Sequence, residues 1–314
     1  MKAQLLSATL FTAFSGVLSA ADPKLLDLVM PDAKVLAGVN VEQAKGTQFG
    51  QYVLNQLQTH DSEMQKLIAA TGFDPRRDVR EVLVASDGAP QSKRGLALAR
   101  GNFDIDRITK AATSHKEVTT EIYSNITILE DAKGLNGIAF LDSTRVVAGD
   151  TGSVKGAIAR MSSPQPLPAA LLVKINQWSS SQDAWGISVV PPASLVPSVK
   201  DTQPNPIMTA AQNVQQSAGG VKFGADVVFN GEAICDTAQN ATTLGDLVKF
   251  MLNLAQMQSG QNPQAKQLIN SVKVTPNGNM LTVSASLPQD VFIQMLQPAK
   301  RTAQMRVERQ ANSR

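Results

Sequence analysis

The feature that most constrains this chain is an order of elements that occurs twice, on either side of a proline-rich break. Residues Val154, Ala157, Ile158 and Met161 recur at helical spacing, and Ser162-Ser163-Pro164-Gln165-Pro166-Leu167-Pro168 then stops that helix. Before the break the residues predict a strand at 35–41, helical pieces over 49–57 and on to Thr71, and strands at 81–85 and 95–99. A helix N-capped by Asp104 follows, carrying Ile105, Ile108 and Ala112. Strands at about 117–130 and 136–149, the latter bent or paired around Asp142-Ser143, complete this half, and a helix begins at Thr151. After the break a bridging helix at 169–178 leads into strand 185–190, a helix within 204–217, and strands at 220–229 and 232–237. A helix from Thr243 follows, with Leu244, Leu247, Val248, Met251, Leu254 and Ala255 on one stripe. Two strands around 272–274 and 281–285 and a helix beginning at Pro288 close the chain. Asn230-Gly231 and Asn277-Gly278 read as two hairpin turns, and Thr243-x-x-Asp246 as a capping box with Asp in place of Glu.

Both halves thus run β-α-β-β-α-β-β-α. The expected fold class is α+β, with two tandem split β-α-β (ferredoxin-like) modules whose helices pack on one face of antiparallel sheets, joined edge to edge into one larger sheet if the modules meet. The expected boundaries are a signal peptide at 1–21, a first module at 22–162, a second at 163–303 and a basic tail at 304–314.

The leader carries the clearest address. Lys2 is its only charge before Asp22, Ala3 to Val17 is apolar but diluted by Gln4, Ser7, Thr9, Thr12 and Ser15, and Ser19-Ala20-Ala21 offers small residues for a signal peptidase. Cleavage is expected after Ala20 or Ala21, giving a periplasmic or secreted protein with no transmembrane span in the mature chain. No cysteine lies beside the cut, so no lipid is attached there. Cys235, the only cysteine, is expected to be a small buried hydrophobe sharing a strand face with Ala233.

Composition removes several chemistries. With 29 Lys+Arg, 26 Asp+Glu and 43% hydrophobic residues, the chain is too apolar for disorder, and its net charge of +3 gives no basis for nucleic-acid binding. A single Cys excludes an internal disulfide and a cysteine metal cluster. His60 and His115 are the only imidazoles and neither lies in a metal-ligand pattern. His115 reads as a helix-end residue and His60 as a solvated turn residue. No Gly-x-Ser-x-Gly elbow occurs. The segment Gly149-Asp150-Thr151-Gly152-Ser153-Val154-Lys155-Gly156 opens a helix after a strand but misses the phosphate-loop spacing, so Asp150 or Thr151 is expected to cap it. The adjacent acids Asp104 with Asp106 and Glu130 with Asp131 read as caps and rims rather than acid/base pairs. The basic residues Lys300, Arg301, Arg306, Arg309 and Arg314 read as a solvated helix end. The glutamine-rich stretch 256–267 reads as a loop between helices, and the proline-rich 191–206 as the loop best suited to binding.

Three junctions carry a resemblance. Leu28 to Val35, the stretch from Gly95 through Arg100-Gly101-Asn102-Phe103-Asp104, and Val146-Val147-Ala148-Gly149-Asp150 look like those of uncharacterised exported bacterial proteins with a duplicated α+β module. The resemblance implies an envelope or secreted location and transfers no site residue. The second half has no counterpart of the Arg-Gly-x-Phe-Asp junction. No catalytic, cofactor-binding or metal residue is assigned, and no cofactor is expected. The expected function is a non-catalytic binding or envelope-associated module that takes an unknown protein or envelope component through a sheet face or the 191–206 loop. The alternative is an envelope hydrolase using carboxylates that only the fold assembles.

Overall fold

A computed structural model describes residues 20–59, 62–89, 91–92, 94–114, 117–192, 206–260 and 262–296. The first half holds strands β1 (Val35–Asn40), β2 (Val79–Ser86), β3 (Gly95–Gly101), β4 (Val118–Tyr123), β5 (Ile126–Asp131), β6 (Asn136–Asp142) and β7 (Arg145–Asp150). Its helices are α1 (Pro23–Leu26), α2 (Val41–Lys45), α3 (Gln48–Thr59), α4 (Ser62–Thr71), α5 (Pro75–Asp78), α6 (Ile105–Thr113) and α7 (Thr151–Arg160). After the proline break come α8 (Ala169–Ser181), β8 (Ala184–Ser188), α9 (Pro206–Ala211), β9 (Val214–Lys222) and β10 (Asp226–Cys235). The chain continues through α10 (Ala238–Gln258), α11 (Pro263–Ser271), β11 (Lys273–Asn277), β12 (Met280–Pro288) and α12 (Gln289–Leu296).

All twelve strands form one sheet, in the order β11-β12-β10-β9-β8-β1-β2-β3-β7-β6-β5-β4, with every neighbouring pair antiparallel. The halves join where β1 pairs with β8, with Leu36 opposite Ile187 and Gly38 opposite Trp185. The expected larger sheet is present. The split β-α-β order within each half is not. That order places a strand between two parallel strands joined by a helix, whereas β1 and β2 are direct antiparallel neighbours. The cause lies in the connection. A single crossover helix carries the chain to the far end of a sheet, but α2 to α5 run as several short pieces and return it to the end where β1 finished.

Because directly opposed residues share a face, the register sorts the side chains. On one face lies the row Trp185, Gly38, Leu83, Leu98, Val147, Ala139 and Ile128. With Leu36, Ala85, Leu96 and Ile187 these form the main core, against which Leu25, Leu28, Val29 and Met30 of the N-terminal segment and Val154, Ile158, Leu171, Ile175 and Trp178 of α7 and α8 pack. Each fully buried Leu or Ile there contributes about 1.5–3 kcal/mol. Arg160 ties the core together from the end of α7: its buried guanidinium donates to the Leu28 carbonyl from Nε at 3.1 Å and Nη2 at 2.8 Å. Lys174 of α8 reaches across to Glu232 of β10 at 2.7 Å, linking that helix to the outer strands of the second half.

Helices lie on the second face as well, contrary to the one-sided expectation. On it, Phe229 of β10 and Phe223 gather with Phe49 of α3 and Phe292 of α12, with centroids 5.0–5.2 Å apart. Phe140 of β6 meets Phe103 at 5.7 Å, and Phe103 meets Phe73 at 5.8 Å. Gly245 of α10 lies against Leu281, so α10 also covers this face, over β12 and β11.

The two Asn-Gly pairs behave differently. Gly278 has φ +57° and closes the β11–β12 hairpin, as expected. Asn230-Gly231 instead lies inside β10, with Gly231 paired to Gly219 and Val283, and the chain turns earlier, at 223–225. The 117–130 stretch is a β4–β5 hairpin, turned by Ser124 (φ 49°) and Asn125 (φ 63°). Helix α10 starts five residues before Thr243, at Ala238, because Thr237 accepts from the Asn240 amide at 3.1 Å. The glutamine-rich stretch is mostly helical, at the end of α10 and the start of α11, with Asn262 capping α11.

A buried charge sits beside the seam. Asp183 is fully buried, accepts from the Phe223 amide at 2.6 Å, and pairs with Lys222 Nζ at 2.7 Å. Replacing Lys222 with Met leaves that carboxylate without its cation, and a loss of about 3 kcal/mol is expected in urea unfolding. Gly38→Val places methyls where a Cβ alone would stand 2.7 Å from the Trp185 ring and 2.8 Å from Leu83, and is expected to cost about 3 kcal/mol in the same measurement.

Candidate binding groove

On the second face the register aligns a different row: Gly231, Gly219, Gly186, Ala37, Val84, Ala97, Ala148, Ile138 and Leu129. At the centre of the sheet these side chains are small, and the helices of this face stand to either side. Two adjoining cavities result, both lined by Ala148 and Gly149. One, of about 440 Å³, has Val35, Ala37, Val84 and Ala97 on its floor. The other, of about 1000 Å³, runs on between the end of α6 and the β5–β6 hairpin, over Val118, Leu129, Leu135 and Ile138. Together they make one shallow apolar groove across β1, β2, β3, β7, β6 and β5. Val84 is 47% exposed, Ile138 44% and Leu135 58%, so this surface lacks a covering partner among the described residues. Charge appears only at the far rim, as Glu117, Glu130, Asp131 and Lys133.

Three of the acids singled out in the sequence, Asp104, Asp131 and Asp150, are spent on local structure. Asp104 caps α6 by accepting from the Arg107 amide at 3.1 Å. Asp131 holds the β5–β6 turn, accepting from the Lys133 and Leu135 amides and from Asn136 Nδ2 at 2.8 Å. These bonds, Asn136 foremost, keep its carboxyl below the usual range. Asp150 occupies the start of α7, accepting from the Ser153 amide at 2.9 Å and, across to β3, from the Gly95 amide at 3.0 Å. Burial works against its ionisation, yet the hydrogen bonds from Ser153 and Gly95 hold its carboxyl below the ordinary value. The helix end that resembled an anion site is therefore filled by the chain's own carboxylate.

Cys235 is buried with Val214, Ala241, Ala233 and Leu244, on the strand face expected for it. Burial, and then the neighbouring Asp236, pushes its thiol pKa up. His60, His115, the 193–205 part of the proline-rich loop, residues 1–19 and the basic residues from Lys300 onward lie outside the described residues. The groove itself carries a faint sequence signal. Ala37, Ala97 and Ala148 alternate with Leu or Val in strands that look continuously apolar, so both faces read alike until the register separates them.

No family model and no curated protein matches the chain. Solved structures of TP0453 share the fold. Crystal form III aligns over 86% of this chain and 96% of its own with a TM-score of 0.57 at 10% identity. Crystal form IV aligns over 90% and 100% with a TM-score of 0.53 at 9% identity. At that identity the likeness is one of architecture.

Two outcomes are expected. Asp150→Ala removes the cap and lowers stability at pH 7 by about 1 kcal/mol. Because the Asp150 carboxyl is held below its unfolded value, its contribution is complete above that value and fades as pH falls through the folded one; the gap between parent and variant should therefore close below about pH 4 in pH-dependent urea melts. Cys235 should resist a thiol-disulfide reagent in the native protein at pH 8 and react at once in denaturant.

Proposed function

We propose that this is an exported, periplasmic or secreted binding protein without a catalytic centre, which takes an elongated apolar ligand along the open face of its sheet. One observation carries the reading: a continuous, largely uncharged groove over six strands, floored by alanine, glycine and valine. Contiguous exposed apolar surface of this kind marks a contact site. The leader pattern over 1–21 supports the address. No helix of the described residues is long and apolar enough to cross a membrane, in keeping with a span-free mature chain.

The common outward strand order of the halves supports reading them as two copies of one unit, 22–162 and 163–303. From the seam, β1-β2-β3-β7-β6 on one side matches β8-β9-β10-β12-β11 on the other. The copies differ where β4 and β5 are added, and those strands widen the groove on the first side only.

An environment-sensitive naphthalene dye tests the site. Ala97→Phe fills the floor and Val84→Asp charges it; each is expected to weaken dye binding at least tenfold with the thermal midpoint little changed. Unchanged binding in both variants overturns the reading.

A further inference from the structure

The first described residues enter the core abruptly. Ala20 is exposed, whereas Ala21 is buried and its amide donates to Ser179 Oγ at 3.1 Å. One residue on, the Asp22 amide donates to Glu81 Oε1 at 3.0 Å. Glu81 is a buried acid on the core face of β2, only 6% exposed. Arg100 of β3 reaches both carboxylates, with Nε 3.1 Å from Asp22 Oδ2 and Nη2 3.3 Å from Glu81 Oε2. Among the described residues no other lysine or arginine forms an ion pair with either acid. Two negative groups thus share one positive one, and the more deeply buried of the two receives a neutral amide. A buried carboxylate short of a counter-charge is costly.

We propose that the leader is cut between Ala21 and Asp22, and that the α-ammonium released on Asp22 becomes the buried counter-ion of Glu81. The inference rests on the export reading. Hydrolysis by a leader peptidase breaks the Ala21–Asp22 C–N bond; water gives its hydroxyl to the Ala21 carbonyl, and the Asp22 nitrogen leaves as an amine that takes up a proton. That nitrogen already lies 3.0 Å from Glu81 Oε1, so the new charge arises where the cluster lacks one, and two cations then balance two anions. Local sequence agrees. A cut after Ala21 has the small residues Ala21 and Ser19 at the positions a peptidase reads, whereas a cut after Ala20 puts Leu18 at one of them. Because Ala21 is buried in the folded chain, the cut precedes folding, and the ion pair forms as the processed chain folds.

The test starts from the full chain produced with its leader in a bacterial host. Terminal sequencing and intact mass of the exported protein should find Asp22 first. An exported chain that begins elsewhere overturns both the cut site and the Asp22–Glu81 pairing while leaving the export reading standing; an uncut chain held in the cytoplasm overturns the export reading beneath it. The pairing is read separately, from Glu81→Gln. In the processed protein it should lower the thermal midpoint by about 3 °C or more. In the uncut chain, where the glutamine still accepts from the Asp22 amide and one surplus negative charge is gone, the midpoint should hold or rise. Equal shifts in the two forms overturn the pairing. Reductive methylation of the unsubstituted processed protein at neutral pH gives a measure that needs no variant: the Asp22 amine should stay unlabelled until the protein is unfolded, and prompt labelling overturns the pairing.

Discussion

The antiparallel pairing of β1 with β8 is the contact on which the rest of the structure depends. It turns two five- and seven-stranded portions into one sheet, and so makes both of its broad faces continuous. The pairing is secured on the core side by Trp185 lying against Gly38, a position where any β-carbon would collide with the ring. It is secured at its end by the Asn40 amide donating to the Asp183 carbonyl at 2.7 Å, and by the buried Asp183 carboxylate paired with Lys222. Hydrogen-bonded backbone alone would not fix which edges meet. The fit of one indole over one glycine, beside a charge that must remain paired, penalises a slip of register on both counts.

Continuity gives the two faces different fates. On the core face, apolar side chains from eight neighbouring strands meet α1, α7, α8 and the segment leading into β1, closing a single apolar layer. That segment is among the most buried in the chain, and its entry point is where Asp22, Glu81 and Arg100 converge. On the other face the helices gather toward the outer strands and around two phenylalanine clusters, leaving the middle open. Core and groove are two sides of the same strands.

Much of this was legible in the residues. Helices announced by caps, such as α6 after Asp104 and α7 after Asp150, lie where the side-chain acceptors put them, because a cap is a local interaction. The Asn277-Gly278 hairpin is likewise local. What failed depended on partners distant in sequence. Asn230-Gly231 has turn chemistry, but a long strand between β9 and β12 keeps it extended. Thr243 and Asp246 have capping chemistry, but Thr237 starts the helix first. The strand order could not follow from the order of elements, because it depends on which end of the sheet a connection returns to. The groove was hidden for the same reason: alternation of Leu with Ala in β3 marks two apolar faces, and only the neighbouring strands decide which is filled.

That alternation also explains how an open apolar face is tolerated. Ala37, Ala97 and Ala148 are weak strand formers, with little side chain to pack against their neighbours. The same strands contribute Leu36, Leu96, Leu98 and Val147 to the opposite face, where burial stabilises the pairing regardless of what happens on the groove side. Small residues on the floor therefore cost little stability, and by their size they set the depth of the recess. Larger ones at the same positions would gain propensity and lose the groove, so the depth of this surface is a consequence of side-chain volume at a few paired positions, and the sheet beneath it does not depend on keeping it empty.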